Sequence, residues 1–178
     1  IIAPMAETAF ATSKFLDAID TFVPEDNRKD IEFAVNIETI TAYQNLDEIL
    51  QLKKLNLLSS LTVGRVDFGA SLNKDRTFSN SEEMYNYCSD IYKKAKLKNL
   101  KTTLGGAVSV ESKDFIKKLV NDNLIEKYET RKLVYRSSSI NTIEEGLKRG
   151  VNFELLWLKS KRRYYHRIRN EDEKRIEM

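Results

Sequence analysis

Two carboxylates raise the first chemical question. Glu38 closes one apolar run, residues 31–39, and Asp67 follows the end of the next, residues 56–64, which closes on Gly64. A helical stretch over 43–54 separates the runs, so they read as parallel strands joined by one crossover. Neighbouring strands lie about 4.8 Å apart and here point the same way, which places both carboxylates on one rim. Two negative charges that close repel unless a proton or a cation lies between them. Oxygen-only ligation with room for water and substrate suits Mg²⁺ or Mn²⁺ better than zinc. The local alternative is capping: Thr39 or Asp67 is also placed to cap the helix after its strand.

Other residues fall near the same rim. Glu7 follows a first strand over 1–5 and either holds a water or substrate group or caps its own helix. Gly105 and Gly106 end a strand over 100–106, as a plain turn or as a place where a ligand meets the backbone. Glu129 and Arg131 stand two apart in the extended segment 124–135 and so share a face. Arg131 either binds a substrate carboxylate with two hydrogen bonds or forms a structural ion pair with Glu129. Cys88, between Tyr87 and Ser89 on a helix, has no second cysteine to pair with and reads as a packing residue.

These residues need a scaffold, and the order of elements supplies one. Strand 1–5 leads into an amphipathic helix over 7–20, with Phe15, Leu16 and Ile19 on one side. A polar connection precedes strand 31–39, and helix 43–54 turns Leu46, Ile49 and Leu50 inward. After strand 56–64, Ser79 or Asn80 is the expected N-cap of a helix whose first turn holds Glu82 and Glu83. Strand 100–106, a helix capped by Ser112 and the segment 124–135 come next. From about residue 141 to the end the pattern is helical, with interruptions expected at Gly146 and Gly150.

Alternating strands and helices call for a parallel sheet with right-handed crossovers. Short continuous apolar runs suggest strands covered on both faces. No GxGxxG or GxxxxGK[ST] loop is present, which weakens a nucleotide-binding doubly wound sheet. The expected fold is α/β of the (β/α)₈ TIM-barrel type, with about five of the eight strand–helix units in this chain. Residues 1–140 form the C-terminal portion of that barrel, and 141–178 a terminal helix that packs on the barrel or a neighbouring subunit.

Composition is compatible. The chain has 178 residues, 41% hydrophobic and 32% charged, with a net charge of only +3, which describes a core-forming, mildly basic protein. Apolar runs fall short of a membrane span, no secretory pattern is visible, and a single cysteine fits a reducing compartment. Cytoplasm is the expected location. The chain opens on an apolar run without an initiator methionine, which suggests a piece of a longer protein.

The segments "PMAETAFA", "VNIETITAYQNLDEIL" and "LTVGRVDFGASL" together resemble the HpcH/HpaI aldolase and citrate lyase beta-chain family. The likeness is carried by residues 1 to about 73. It implies a metal-dependent carbon–carbon lyase acting through a pyruvate-like or acyl-thioester enolate. On that resemblance, Glu38 and Asp67 are the ligands of Mg²⁺ or Mn²⁺, and Asn36 is a polar residue facing the substrate. Gly64, Arg65 and Val66 belong to a turn whose N–H groups bind the carboxylate of a 2-oxo acid. The substrate is a small 2-oxo or hydroxy acid or an acyl-CoA, and the protein is a homo-oligomer. Departures from the pattern are Arg65, Phe68 and Asn73. The family's substrate-binding arginine lies on a strand earlier than residue 1, and the only histidine here is His166, in the terminal helix.

That helix carries the alternatives. Residues 159–169 hold six Lys or Arg and no acid, interleaved with Tyr164 and Tyr165, a mixture that can hold phosphates and stack bases. Trp157, Tyr164 and Ile168 form a stripe suited to a partner surface. A non-catalytic barrel fragment serving oligomerisation, or a basic-tailed nucleic-acid-binding protein, are the competing readings.

Overall fold

The computed structural model describes all 178 residues. It contains six strands in one sheet: β1 (Ile2–Ala3), β2 (Ala34–Ile37), β3 (Ser60–Gly64), β4 (Lys101–Gly105), β5 (Lys127–Glu129) and β6 (Val134–Arg136). Helices are α1 (Ala9–Phe22), α2 (Glu25–Arg28), α3 (Ile40–Gln44), α4 (Leu46–Ile49), α5 (Arg65–Ser71), α6 (Glu82–Leu97), α7 (Lys113–Asn121) and α8 (Ile143–Ile176). The strands lie in sequence order, β1 to β5 parallel and β6 antiparallel to β5. A doubly wound sheet reverses its order and puts helices on both faces. This sheet does not reverse, so right-handed crossovers bring its helices to one face.

The two faces differ in chemistry. Ile37, Val63, Leu104 and Tyr128 form one register row, are almost wholly buried, and join Leu16, Ile49, Phe68, Ile91 and Ile116 of the helices in one core. Each such side chain contributes roughly 1.5–3 kcal/mol by leaving water. The neighbouring row, on the other face, is Asn36, Thr62, Thr103 and Lys127. The strands therefore alternate, and the expectation of strands apolar on both sides is corrected: helices cover only one side.

Other boundaries differ from the expected ones for local reasons. The helix expected over 43–54 begins at Ile40, where Thr39 Oγ1 accepts from Ala42 N, and breaks at Asn45, whose Nδ2 donates to Glu7 O. Residues 55–57 form a turn of 3₁₀ helix, so β3 starts only at Ser60. The cap of α6 is Ser81, accepting from Met84 N, and not Ser79 or Asn80. The segment 124–135 is a hairpin turned at Thr130, whose N–H donates to Leu133 O.

Gly146 and Gly150 do not interrupt the last helix. α8 runs for 34 residues through both, about 51 Å at the usual rise. The glycines seat the ring of Tyr135, whose hydroxyl donates to Gly146 O at 3.1 Å. A Cβ on Gly150 would fall 1.9 Å from that hydroxyl. Beyond Gly150 the helix is largely exposed. Its seated residues Ile143, Leu147 and Gly150 continue at spacings of seven, seven and four into Trp157, Tyr164 and Ile168, of which Trp157 and Tyr164 are half exposed. No helix is long and apolar enough to cross a membrane.

Candidate active site

The C-terminal ends of four strands form a row. Gly64 pairs with Gly105, Glu38 stands one residue beyond the Ile37–Val63 pair, and Glu129 one beyond the Leu104–Tyr128 pair. Both carboxylates lean inward over the glycines. A Cβ on Gly64 would lie 2.5 Å from Glu38 Oε2, and one on Gly105 would lie 3.4 Å from Glu129 Oε1. The glycines thus make a floor two strands wide with a carboxylate on each side.

Glu38 is buried without a cationic partner. Its Oε1 accepts from Met5 N at 2.9 Å, and Asn36 Nδ2 reaches its two oxygens only at 3.4 and 3.3 Å. Asn36 Oδ1 is buried with no partner at all. Buried oxygens normally have their hydrogen bonds filled. Here a carboxylate and an amide oxygen keep acceptor capacity side by side, oxygen donors of the kind a hard divalent cation takes, while no group of three or more Asp, Glu, His or Cys is gathered around them.

Asp67 stands in the first turn of α5, exposed and in no ion pair or hydrogen bond, so it caps nothing. It lines a cleft of about 500 Å³ together with Val66, Arg76, Gly106, Glu129 and Arg131. Arg131 sits in the β5–β6 turn and makes no ion pair with Glu129; the turn carries it out of the strand geometry that would have paired them. Glu129 is half-buried without a cationic partner, and burial raises its proton affinity against the opposing pull of Lys127. Glu7 is apart from this cleft, its Oε1 accepting from Thr39 Oγ1 at 2.7 Å, so it neither caps its own helix nor faces the floor. Thr8 is the cap of α1.

Arg65 turns away from the cleft. Its side chain is fully buried, donating to Ser79 O, Asn80 Oδ1 and Gly106 O at 2.7 Å each and to Gly105 O at 3.3 Å. The guanidinium also lies 4.7 Å over the ring of Phe115. No carboxylate balances it, and burial lowers its pKa. Nearby Cys88 is wholly buried, its thiol pushed up to about 12 by burial, as a packing residue would be.

The backbone is strained around the rim. Gly106 has φ +73° and packs on the start of α5: a Cβ there would lie 2.7 and 2.8 Å from Arg65 N and Val66 N. Ala107, lining the cleft, and Met5, whose N–H binds Glu38, both have φ +52°. Each such non-glycine residue costs of order 1–3 kcal/mol. Asn73, Asn99 and Asn123 share the conformation but simply follow helices, where Asn is common.

Neither a protein-family model nor a curated protein sequence matches the chain. Solved structures do. RipC from Yersinia pestis superposes with a TM-score of 0.56 at 16% identity, over 80% of this chain and 61% of its own. An HpcH/HpaI aldolase from Desulfitobacterium hafniense gives 0.56 at 12% identity, over 72% of this chain and 56% of its own. The citrate lyase beta subunit of M. tuberculosis, complexed with oxaloacetate and magnesium, gives 0.54 at 13% identity, over 80% and 58%. The fold is that of the aldolase and citrate lyase structures. This chain spans less than two thirds of the length of each. The shared fold agrees with the unreversed strand order.

Glu129 is the site residue that sequence reasoning misses in its own right. A signal for it exists: it is the one acid on its strand, two residues above Lys127. Taking 124–135 as a single strand ties it to Arg131 instead, and only the hairpin turn separates the two.

Proposed function

We propose that the chain carries the metal-binding half of a carbon–carbon lyase acting on a 2-oxo acid, a hydroxy acid or an acyl thioester. The observation that carries this reading is the buried Glu38 carboxylate, with no Lys or Arg paired to it, beside the orphaned Asn36 Oδ1 and over Gly64. Glu38 and Asp67 would hold Mg²⁺ or Mn²⁺, with Asn36 turned to the substrate. When bound, the cation supplies positive charge to polarise the substrate's oxygens. The chain's own contribution is to hold the substrate over the glycine floor. The turn from Gly64 to Val66 offers N–H groups, Arg131 meets a substrate carboxylate from the hairpin turn, and the strained Gly106–Ala107 loop closes one side. Glu7 steadies Thr39 at the edge of the site.

The oxaloacetate and magnesium bound by the M. tuberculosis protein support this ligand class by shared fold. The test is release of pyruvate, oxaloacetate or acetyl-CoA from a panel of hydroxy acids and their thioesters, with Mn²⁺ present. Metal-dependent release from one member is expected; no release from any member, with metal bound, counts against it. The half-exposed Trp157–Tyr164–Ile168 stripe fits a contact with a second copy of the chain, and light scattering that shows only monomer would remove that part.

A further inference from the structure

We propose that Glu129 is the acid–base residue of this site, taking a proton from the carbon next to the substrate's carbonyl and returning it. The inference rests on the lyase reading and adds a catalytic role to it. Glu129 has the placement a proton carrier needs. It stands on a strand end in the row that contains Glu38, separated from it by two residues without side chains. Glu129 also lines the cleft of about 500 Å³ that Asp67 lines, so a substrate held at Asp67 in that cleft has this carboxyl beside it. A Cβ built on Gly105 would lie 3.4 Å from Glu129 Oε1 and 3.4 Å from Thr62 Cγ2, so this strand end leaves the space beside the carboxylate free of a side chain.

The surroundings leave this carboxyl free to act. Glu129 makes no hydrogen bond or ion pair, unlike Glu126 on the same segment, which is held by Lys96 and Thr102. The charged groups facing its cleft are Asp67 from α5, Arg76 from the turn after it, Arg131 from the hairpin turn and Glu154 from α8, with Lys127 two residues below on β5. Among them Lys127 is the one whose charge opposes the effect of burial. A half-buried carboxyl with raised proton affinity exchanges protons closer to neutral pH than an exposed one, which is where a general base is effective.

The step balances within the site. With pyruvate, a C–H bond of the methyl group breaks and its proton passes to a Glu129 carboxylate oxygen. The electron pair enters the enolate, with the negative charge on the carbonyl oxygen. In the cleavage direction the hydroxyl of the departing fragment gives its proton to the Glu129 carboxylate as the carbon–carbon bond breaks and its electron pair enters the enolate, whose carbon then takes that proton from the same carboxyl. No oxidant or reductant is involved.

The test is exchange of pyruvate's methyl protons in D₂O with Mg²⁺, followed by proton NMR on the full chain, beside calorimetric binding of pyruvate. Wild type is expected to bind and exchange. Glu129→Gln is expected to slow exchange about a hundredfold while binding stays unchanged, and Glu129→Asp to restore part of the rate. Exchange by Glu129→Gln at the wild-type rate overturns the proposal, as does loss of binding together with exchange, which would make Glu129 structural. Binding without exchange in wild type overturns the proposal alone. Absence of pyruvate binding in wild type overturns the 2-oxo-acid form of the lyase reading, and this proposal with it.

Discussion

Two buried charges lie on either side of Gly64, and their surroundings are opposites. Below, Arg65 has its guanidinium spent on three carbonyls, an amide oxygen and an aromatic face. Above, Glu38 has one firm donor, Met5 N, two long contacts from Asn36 and a neighbouring oxygen with no partner. A buried polar group that is fully satisfied holds a fold together; one left with spare capacity costs stability. The same pair of adjacent strand ends therefore carries a structural pin and an incompletely satisfied carboxylate. The contrast is chemical and does not depend on burial, since both are buried.

The pin should break hardest. Arg65→Met leaves Ser79 O, Gly105 O and Gly106 O without their donor, and a loss of roughly 3 kcal/mol or more in denaturant unfolding is expected. A loss under about 1 kcal/mol would show that Arg65 merely fills space. Gly64→Ala should be intermediate. Its Cβ would meet Glu38 Oε2 at 2.5 Å, so the carboxylate must move and Mn²⁺ affinity should fall by tenfold or more, with about 1–2 kcal/mol lost in stability. Unchanged affinity would mean Glu38 has another place to sit.

The smallest effect sits at the opposite end of the strands. Glu32 lies between Lys101 and Lys127, and their hydrogen bonds and charge hold its carboxyl down to about 2. A lowered carboxyl stabilises the folded state above its ordinary range. That contribution is lost as pH falls from about 4.5 towards 2. Because Glu32 and Lys101 are about half exposed, solvent screening should limit it to under about 1 kcal/mol. Glu32→Gln should flatten stability over that window, and an unaltered acid slope would show the pair contributes nothing.

The contrast also explains how much of the molecule is legible in the sequence alone. Strand–helix alternation and the rim position of Glu38 and Asp67 are local signals, set by short apolar runs and the residues that close them. The polar face of the sheet is equally legible: Asn36 stands between Val35 and Ile37, and Thr62 between Leu61 and Val63. It is masked because flanking apolar residues outside the strands lengthen the runs. Arg65 cannot be read at all. Its place in the core depends on carbonyls from Ser79, Gly105 and Gly106, up to 41 residues away, and no local pattern announces a buried arginine without a carboxylate. The same holds for the glycines of α8. A helix-breaking signal at Gly146 and Gly150 gives way to the ring of Tyr135, which needs room that only glycine leaves.

The separation of pin from site is tested most directly by calorimetric titration of Mn²⁺ into the wild-type chain and into Glu38→Gln and Asp67→Asn. One saturable site in the wild type, lost in both variants while their unfolding midpoints stay within about 1 kcal/mol of it, is the expected result. Equal Mn²⁺ binding in all three, or Glu38→Gln unfolding as readily as Arg65→Met, would contradict it.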